Sequence, residues 1–126
     1  MATGHPNIKF GTDGWRAVMA EDFTFANVRA VAQATADYFR RRKTRTTRKR
    51  MVVGYDRRFL SDEFAITVAE VLAGNGYEVI LTNTPTPTPA VSWAVKAGQG
   101  RAGVMLTASH NPARFNGYKL KLHHGG

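Results

Sequence analysis

Short apolar runs alternate with helix-type patterns through the middle of the chain, and this alternation constrains the fold more than any other feature. The apolar runs cover residues 51–55, 78–81 and 102–106. Between them, apolar residues recur at every third or fourth position, which indicates amphipathic helices. Strand, helix and strand in this order are typical of right-handed crossovers between parallel strands. We therefore predict a three-layer α/β/α domain with a mostly parallel sheet of about four strands.

Residues at the ends of these elements make the prediction more specific. Thr24 and Ser61 are predicted to cap the first two helices, and Pro89 suits the first turn of a third helix. Residues 118–122 alternate between apolar side chains and lysine, which predicts an antiparallel edge strand with one face in water. Residues 10–16 are punctuated by glycine and are predicted to fold as a loop over the carboxyl edge of the sheet.

The size and composition of the chain fit a single domain. It has 126 residues, of which 43% are apolar, and this is enough for one core. No apolar stretch approaches the ~20 residues that cross a bilayer, and the N-terminus has no secretory-signal pattern. The absence of cysteine excludes disulfides and thiolate metal sites and agrees with a reducing compartment. We predict a cytoplasmic location and no membrane partner.

The net charge of +9 is concentrated in one segment. Eight of the 18 basic residues lie between Arg40 and Arg50, and the rest of the chain has ten bases against nine acids. The segment connects a predicted helix to a predicted strand, which favours a solvated connection. It has no interleaved aromatic residues for stacking on bases, so nucleic acid is not the expected partner.

A single serine occupies the loop that follows the last of the parallel strands. Ser109 lies in the string Thr107-Ala-Ser-His-Asn-Pro112, at the carboxyl end of a strand, where open α/β sheets place their chemistry. Its neighbours do not form the G-x-S-x-G turn of a serine hydrolase. Phosphoryl transfer requires cations and backbone N–H groups around a charged group, and Arg16 and Lys119 can supply the cations. The residues favour phosphate chemistry over acyl chemistry.

At these residues the chain resembles the α-D-phosphohexomutases, the family that includes phosphoglucomutase and phosphomannomutase. Each matching string is short, but their order and spacing along nearly the whole chain make the joint match specific. The strings are Gly11-Thr-Asp-Gly-Trp-Arg16, Val53-Gly-Tyr-Asp-Arg-Arg58, Thr86-Pro-Thr-Pro89, Thr107-Ala-Ser-His-Asn-Pro112 and Asn116-Gly-Tyr-Lys119.

The resemblance implies an isomerase that moves a phosphoryl group between O1 and O6 of a hexose phosphate. Ser109 matches the serine that carries the phosphate in the resting enzyme and passes it through a bisphosphorylated sugar. Mg²⁺ is the implied cofactor, bound partly by the phosphate on Ser109. The implied catalytic residues are Ser109, Lys119, His110 and Arg16, and the implied substrate-binding residues are Arg16, Thr12, Lys119 and Asn111.

Each of these residues also has a purely structural interpretation. Lys119 can be a solvent-facing lysine on an edge strand, and Arg16 can brace a loop. His110 can hold its turn by hydrogen bonding. Asp56 and Arg58 follow the first of the parallel strands, and an ion pair that braces their loop is favoured over a chemical role.

The resemblance covers only the first part of the family's pattern. Complete phosphohexomutases have four domains, and this sequence lacks the D-x-D-x-D loop that supplies the protein ligands of magnesium. It also lacks the loop that selects among sugar hydroxyls and the last phosphate-binding loop. We predict that residues 1–126 are domain I of a four-domain enzyme, with domains II–IV as its partners and no turnover by itself.

Two other functions stay open from the sequence. The chain can be a module that binds sugar phosphates or anions through the Ser109 loop and Arg16 without turnover. Alternatively, the basic segment between Arg40 and Arg50 can bind a polyanion such as nucleic acid, with strong salt dependence.

Overall fold

The computed structural model describes residues 8, 14–41, 49–97, 101–108 and 111–122. Within these ranges the chain forms five strands and three helices, in the order β1 (Trp15–Val18), α1 (Phe25–Arg41), β2 (Arg50–Tyr55), α2 (Ser61–Gly74), β3 (Glu78–Leu81), α3 (Thr88–Lys96), β4 (Ala102–Leu106) and β5 (Phe115–Leu122). The alternation of strands and helices from β2 to β4 is the one that the sequence predicts.

All five strands join one sheet, in the spatial order β1, β5, β4, β2 and β3. β2 is parallel to both β3 and β4, and β5 is antiparallel to both β4 and β1. The predicted α/β class is confirmed, and the sheet is a mixed one of five strands, with two parallel and two antiparallel pairings. The antiparallel strand lies second from the edge, because residues 15–18 form β1 and pair with its outer side. Part of a segment predicted as a loop is therefore an edge strand.

The two predicted helix caps have different outcomes. The Thr24 hydroxyl accepts a hydrogen bond from the Asn27 N–H at 3.2 Å, so Thr24 caps α1 as predicted. The prediction for Ser61 is wrong, because Ser61 is the first residue of α2 and follows Leu60, whose φ is 65°. The Ser61 hydroxyl donates instead to the Asp56 carboxylate at 2.9 Å. This stronger, charged acceptor turns the hydroxyl away from the first N–H groups of α2.

The larger core lies between the sheet and the helices α1 and α2. Trp15 of β1 stacks on Phe23 with ring centroids 4.5 Å apart, and Phe23 meets Phe64 of α2 edge to face at 4.9 Å. All three side chains are buried. These contacts fasten β1 to the core and so fix the position of the next residue, Arg16.

α3 covers the opposite face of the sheet with a smaller core. Pro89 lies in its first turn, as predicted. Val91 and Val95 of α3 pack on Val52 of β2 and Met105 of β4. The chain therefore has helices on both faces of the sheet, which is the predicted three-layer arrangement.

Gly54 of β2 lets α3 approach the sheet closely. A Cβ atom at Gly54 would lie 2.5 Å from Val91 Cγ2 and 3.3 Å from Met105 Sδ, so Gly54→Ala must displace the helix or strain its valine. We expect the free energy of unfolding, measured by urea denaturation, to fall by about 1–3 kcal/mol, the usual range for overpacking.

Gly74→Ala is the matched control for this prediction. A Cβ at Gly74 meets nothing within 4 Å, and alanine is favoured over glycine in a helix. This variant should keep or raise the free energy of unfolding. An equal loss of stability in Gly54→Ala and Gly74→Ala would contradict the close approach of α3.

Tyr118 of β5 is fully buried beneath α1. The Thr35 hydroxyl donates to the Val31 carbonyl at 2.9 Å, so its oxygen accepts the hydrogen bond from the Tyr118 hydroxyl at 2.7 Å. Burial raises the pKa of Tyr118 far above its usual value. The folded protein therefore keeps this proton at pH values at which the unfolded chain has lost it.

The raised pKa of Tyr118 makes stability depend on alkaline pH. Its contribution is intact below the unfolded pKa of about 10 and is lost progressively as the pH rises above that value. We expect Tyr118→Phe to flatten the fall of unfolding free energy above about pH 10, by up to about 1.4 kcal/mol per pH unit. Tyr38→Phe, at a tyrosine that is 43% exposed, is the matched substitution for comparison. Identical slopes in wild type and Tyr118→Phe would contradict the prediction.

Candidate functional site

The loops after β2, β3 and β4 leave the sheet at one edge, because these three strands are parallel. β5 enters the sheet from the same edge at Phe115, and β1 ends there at Val18. Leu106, the last residue of β4, lies opposite Tyr118, which in turn lies opposite Trp15. β1 and β5 therefore extend beyond the carboxyl end of β4.

Arg16 and Gly117 form the first pair of residues beyond the end of β4. The Thr107 N–H donates to the Gly117 carbonyl at 2.9 Å, so the loop of residues 107–114, the serine loop, begins level with this pair. Lys119 follows Gly117 by two residues, and side chains two apart on a strand share a face. Arg16 and Lys119 thus project from one face of the sheet, at a diagonal Cα spacing of about 7–8 Å.

Gly117 provides space that the Arg16 side chain uses. A Cβ at Gly117 would lie 2.5 Å from the Thr107 carbonyl oxygen and 3.0 Å from Arg16 Cγ, so the arginine stem lies across β5. Its Nη1 donates to Asn111 Oδ1 in the serine loop at 2.9 Å. Its Nε is buried without a hydrogen-bond partner among the described residues. That N–H is a donor which a bound anion can use.

Asn111 connects three parts of the site. Its N–H donates to the Ala108 carbonyl at 3.0 Å, which links the two described ends of the serine loop. Its side-chain oxygen accepts from Arg16, and its carbonyl accepts from Arg58 Nη2 at 2.7 Å. Both Asn111 oxygens are therefore held by arginines, and a contact between Asn111 and a substrate stays a prediction.

Arg58, on the loop after β2, binds the serine loop with its guanidinium. Nη1 donates to the Pro112 carbonyl at 2.8 Å and to the Phe115 carbonyl at 3.2 Å. Nε lies 3.5 Å from Asp56 Oδ2, and the Arg58 side chain is 13% exposed. The predicted pairing of Asp56 with Arg58 is present. The reach of Arg58 to the serine loop was not predicted, because 53 residues separate Arg58 from Asn111 and the sequence has no signal that joins them.

Asp56 organises the residues behind Arg58. Its Oδ1 accepts from the Arg58 N–H and from the Ser61 hydroxyl, each at 2.9 Å. The Ser61 oxygen accepts from Asn116 Nδ2 at 2.9 Å, and Asn116 Oδ1 accepts from the Gly117 N–H at 2.8 Å. Ser61 and Asn116 are buried. This polar chain joins the end of β2, the start of α2 and the start of β5, and sequence reasoning missed it.

The family of the chain follows from its match to a protein-family model. Residues 7–126 match the model of the phosphoglucomutase/phosphomannomutase family, alpha/beta/alpha domain I. The chain belongs to this family.

Individual members of the family are similar over most of the chain. A Schizosaccharomyces pombe protein named "Probable phosphoribomutase" is 40% identical over 119 residues, which are 92% of this chain and 20% of that protein. A phosphoglucomutase of Staphylococcus saprophyticus is 38% identical over 94% of this chain and 22% of its own length. The chain thus spans about a fifth of these relatives.

A solved structure agrees with the fold of this phosphohexomutase domain. A crystal structure of a Thermus thermophilus protein assigned as a phosphomannomutase superposes with a TM-score of 0.87 at 44% identity. The similarity covers 94% of this chain and 26% of that one. The identity and the fold together support the family resemblance that the sequence motifs indicate.

Three of the predicted site residues of the phosphohexomutase domain, Thr12, Ser109 and His110, lie outside the described residues. Arg16, Asn111 and Lys119 are described and lie on the same edge or face of the sheet. Nearby, a shallow open depression of about 520 Å³ is lined by Asp56, Arg57, Arg58, Asn111 and Ala113. Of the described residues, Arg16 and Asn111 are joined by a hydrogen bond, and Lys119 lies on the same face of the sheet as Arg16.

The described residues do not form a metal site by themselves. Within these ranges no group of three histidine or acidic side chains lies close enough to hold an ion. Asp56, the carboxylate beside the serine loop, is occupied by Arg58 and Ser61. A dedicated magnesium site requires more oxygen ligands than this part of the chain supplies.

The basic segment between Arg40 and Arg50 is described only at its ends, and residues 42–48 lie outside the described ranges. Arg40 pairs with Asp37 at 3.1 Å, and Arg50 pairs with Glu78 at 3.4 Å. Since Arg50 begins β2 and Tyr55 ends it, the segment enters the sheet at the end opposite the serine loop. Among the described helices, none is long and apolar enough to cross a membrane.

Proposed function

We propose that this chain is the serine-bearing domain I of a phosphohexomutase. Ser109 carries a phosphoryl group and transfers it between O1 and O6 of a hexose phosphate through a bisphosphorylated sugar. The observation that supports this most directly is the hydrogen bond from Arg16 to Asn111. It joins a cation of the edge strand to the loop of the serine, at the edge where α/β sheets bind ligands.

The described residues supply charge and proton transfer for this reaction. When a sugar hydroxyl attacks the phosphoserine, the sugar oxygen bonds to phosphorus and releases its proton, the bond between phosphorus and Ser109 Oγ breaks, and the serine oxygen gains a proton. We assign Lys119 to this acid/base role. Arg16 stabilises the negative charge of the phosphoryl group, since its buried Nε has no protein partner among the described residues.

The residues outside the described ranges take the roles that the resemblance implies. Thr12 contacts the substrate, and His110 acts beside Ser109 in the serine loop. The substrate class is a hexose phosphate, as the names of the phosphoglucomutase and phosphomannomutase relatives suggest.

Magnesium would take the phosphate on Ser109 as one of its ligands. The described residues do not offer the remaining ligands, so we propose that they come from other domains of the enzyme. The chain covers about a fifth of its relatives, which is consistent with domain I of a four-domain protein. By itself this domain is proposed to have no turnover.

A second candidate function is an anion-binding module without turnover. The Arg16 Nε has no hydrogen-bond partner among the described residues, and it favours this function together with the arginines at the serine loop, because such donors bind sulfate or phosphate without any covalent step. This module would bind inorganic phosphate reversibly and would never carry phosphate on Ser109.

The mass of the full-length protein purified from cells separates the two functions. The mutase predicts a species heavier by one phosphate group, with the modification mapped to Ser109 by peptide sequencing. Incubation with excess hexose monophosphate should remove the group. An unmodified Ser109 that also stays unmodified after incubation with hexose bisphosphate would overturn the proposal and favour the anion-binding module.

A further inference from the structure

Arg58 binds three backbone carbonyls of one short segment. The Asn111, Pro112 and Phe115 carbonyls accept its hydrogen bonds at 2.7, 2.8 and 3.2 Å. A guanidinium presents its donors in a rigid planar fork, so the segment of residues 111–115 is held at several points by one group. Because the side chain is only 13% exposed, water cannot fully replace these bonds.

The Arg58 guanidinium is itself fixed by rigid elements. Asp56, at the end of β2, lies 3.5 Å from Nε and accepts from the Arg58 N–H at 2.9 Å. The same carboxylate accepts from Ser61 at the start of α2. Arg58 therefore connects the serine loop to β2 and α2 and holds it in a fixed position relative to them. Active-site groups that are supported from rigid elements hold their geometry better than groups on free loops.

The segment held by Arg58 contacts the proposed catalytic machinery at Asn111. This residue binds Arg58 through its carbonyl, Arg16 through its side-chain oxygen and Ala108 through its N–H. A displacement of Asn111 thus changes the arginine of β1 and the start of the loop that bears Ser109. Reactions of this kind are sensitive to displacements of about 1 Å, which can reduce the rate about a hundredfold.

We propose that Arg58, oriented by Asp56, is a positioning residue that sets the serine loop for phosphoryl transfer. The proposal rests on the proposed function of Ser109. It differs from a purely stabilising role, because it requires that a folded protein without the Arg58 guanidinium transfers phosphate slowly.

The test uses the full-length enzyme with Arg58→Gln and Arg58→Lys. We expect Arg58→Gln to lower the single-turnover rate of phosphate transfer from hexose bisphosphate to Ser109 by about 10- to 100-fold, corrected for the folded fraction. The KM for hexose phosphate should change by less than about threefold, because Arg58 acts on the loop. Arg58→Lys keeps the charge but loses the fork, and it should recover only part of the rate.

Two control variants separate positioning from stability and from charge. Val68→Ala removes part of a fully buried side chain of α2 and lowers stability without touching the loop. Arg29→Gln removes an exposed charge from α1. Both should transfer phosphate at the wild-type rate per folded molecule.

Amide hydrogen exchange provides a readout that does not depend on activity. The N–H groups of Asn111 and Phe115 donate to carbonyls within the serine loop, those of Ala108 and Pro112. Their exchange should be at least about tenfold faster in Arg58→Gln than in wild type, and unchanged in Val68→Ala.

The outcomes distinguish this inference from the proposed function. Slow transfer together with fast exchange supports positioning by Arg58. A wild-type rate per folded molecule, or slow transfer without a change in exchange, overturns it. If wild type itself never phosphorylates Ser109, the proposed function fails, and with it the claim that Arg58 serves that reaction. The exchange result then still decides whether Arg58 holds the loop.

Discussion

Under the proposed function, Ser109→Ala is expected to abolish phosphoryl transfer in the full-length protein. The alanine has no oxygen to carry the phosphoryl group, so neither half of the exchange with the sugar can proceed. We expect no phosphate incorporation from hexose bisphosphate, and mutase turnover reduced to the detection limit. Intact mass and a coupled assay of hexose phosphate isomerisation measure the two quantities.

Ser92→Ala is the matched control for the loss of a serine hydroxyl. Ser92 lies in the middle of α3 and outside the serine loop, and its variant should incorporate phosphate as wild type does. Persistent incorporation in Ser109→Ala, mapped to another residue, would show that Ser109 is not the carrier.

Lys119→Met is expected to lower the transfer rate by about 10²- to 10⁴-fold, the range for loss of a general acid or base. Lys119 shares a face with Arg16 at the end of β4, and methionine preserves the length of the side chain without its proton. The rate of phosphate transfer to Ser109, measured as a function of pH, is the readout. Lys121→Met is the control, because Lys121 projects from the same face of β5 but lies opposite Gly103, further from the serine loop.

Lys119→Arg separates proton transfer from simple charge stabilisation. Arginine keeps the positive charge but does not release a proton in proteins. We expect Lys119→Arg to remain slow, with a pH profile that differs from wild type. Near wild-type transfer in Lys119→Arg would contradict the acid/base role and assign Lys119 to charge stabilisation.

Local patterns predicted most of the elements of this fold. The periodic apolar positions of α1 and α2 and the runs of β2, β3 and β4 encode their structure within a few residues. The Thr24 cap also depends on a neighbour three residues away. The Ser61 cap failed because its hydroxyl found the Asp56 carboxylate, an acceptor that no helix pattern indicates. Contacts between residues close in sequence can be predicted from the sequence. Which of two competing acceptors a side chain binds depends on the tertiary structure.

The contacts within the candidate site could not be predicted from the sequence. Arg16 and Asn111 were singled out individually, yet the bond between them joins residues 95 positions apart. It exists because residues 15–18 form β1, and the glycines around that segment indicated a loop. The three bonds of Arg58 have the same origin, since the register of β4 and β5 brings residues 111–115 beside the end of β2.

The pairing of β1 with β5 also limits when the sheet can form during synthesis. β1 leaves the ribosome before the other described strands, and at about 5–20 residues per second its partner β5 follows roughly 5–20 s later. During that interval Trp15 and Arg16 lack β5, the strand with which β1 pairs, although the segments from α1 to β4 can already associate through shorter loops. The nascent chain thus brings Arg16 to the serine loop only after β5 has been synthesised. A folding intermediate in which β1 has not yet paired with β5 would contain most of the secondary structure but would not have Arg16 at the serine loop.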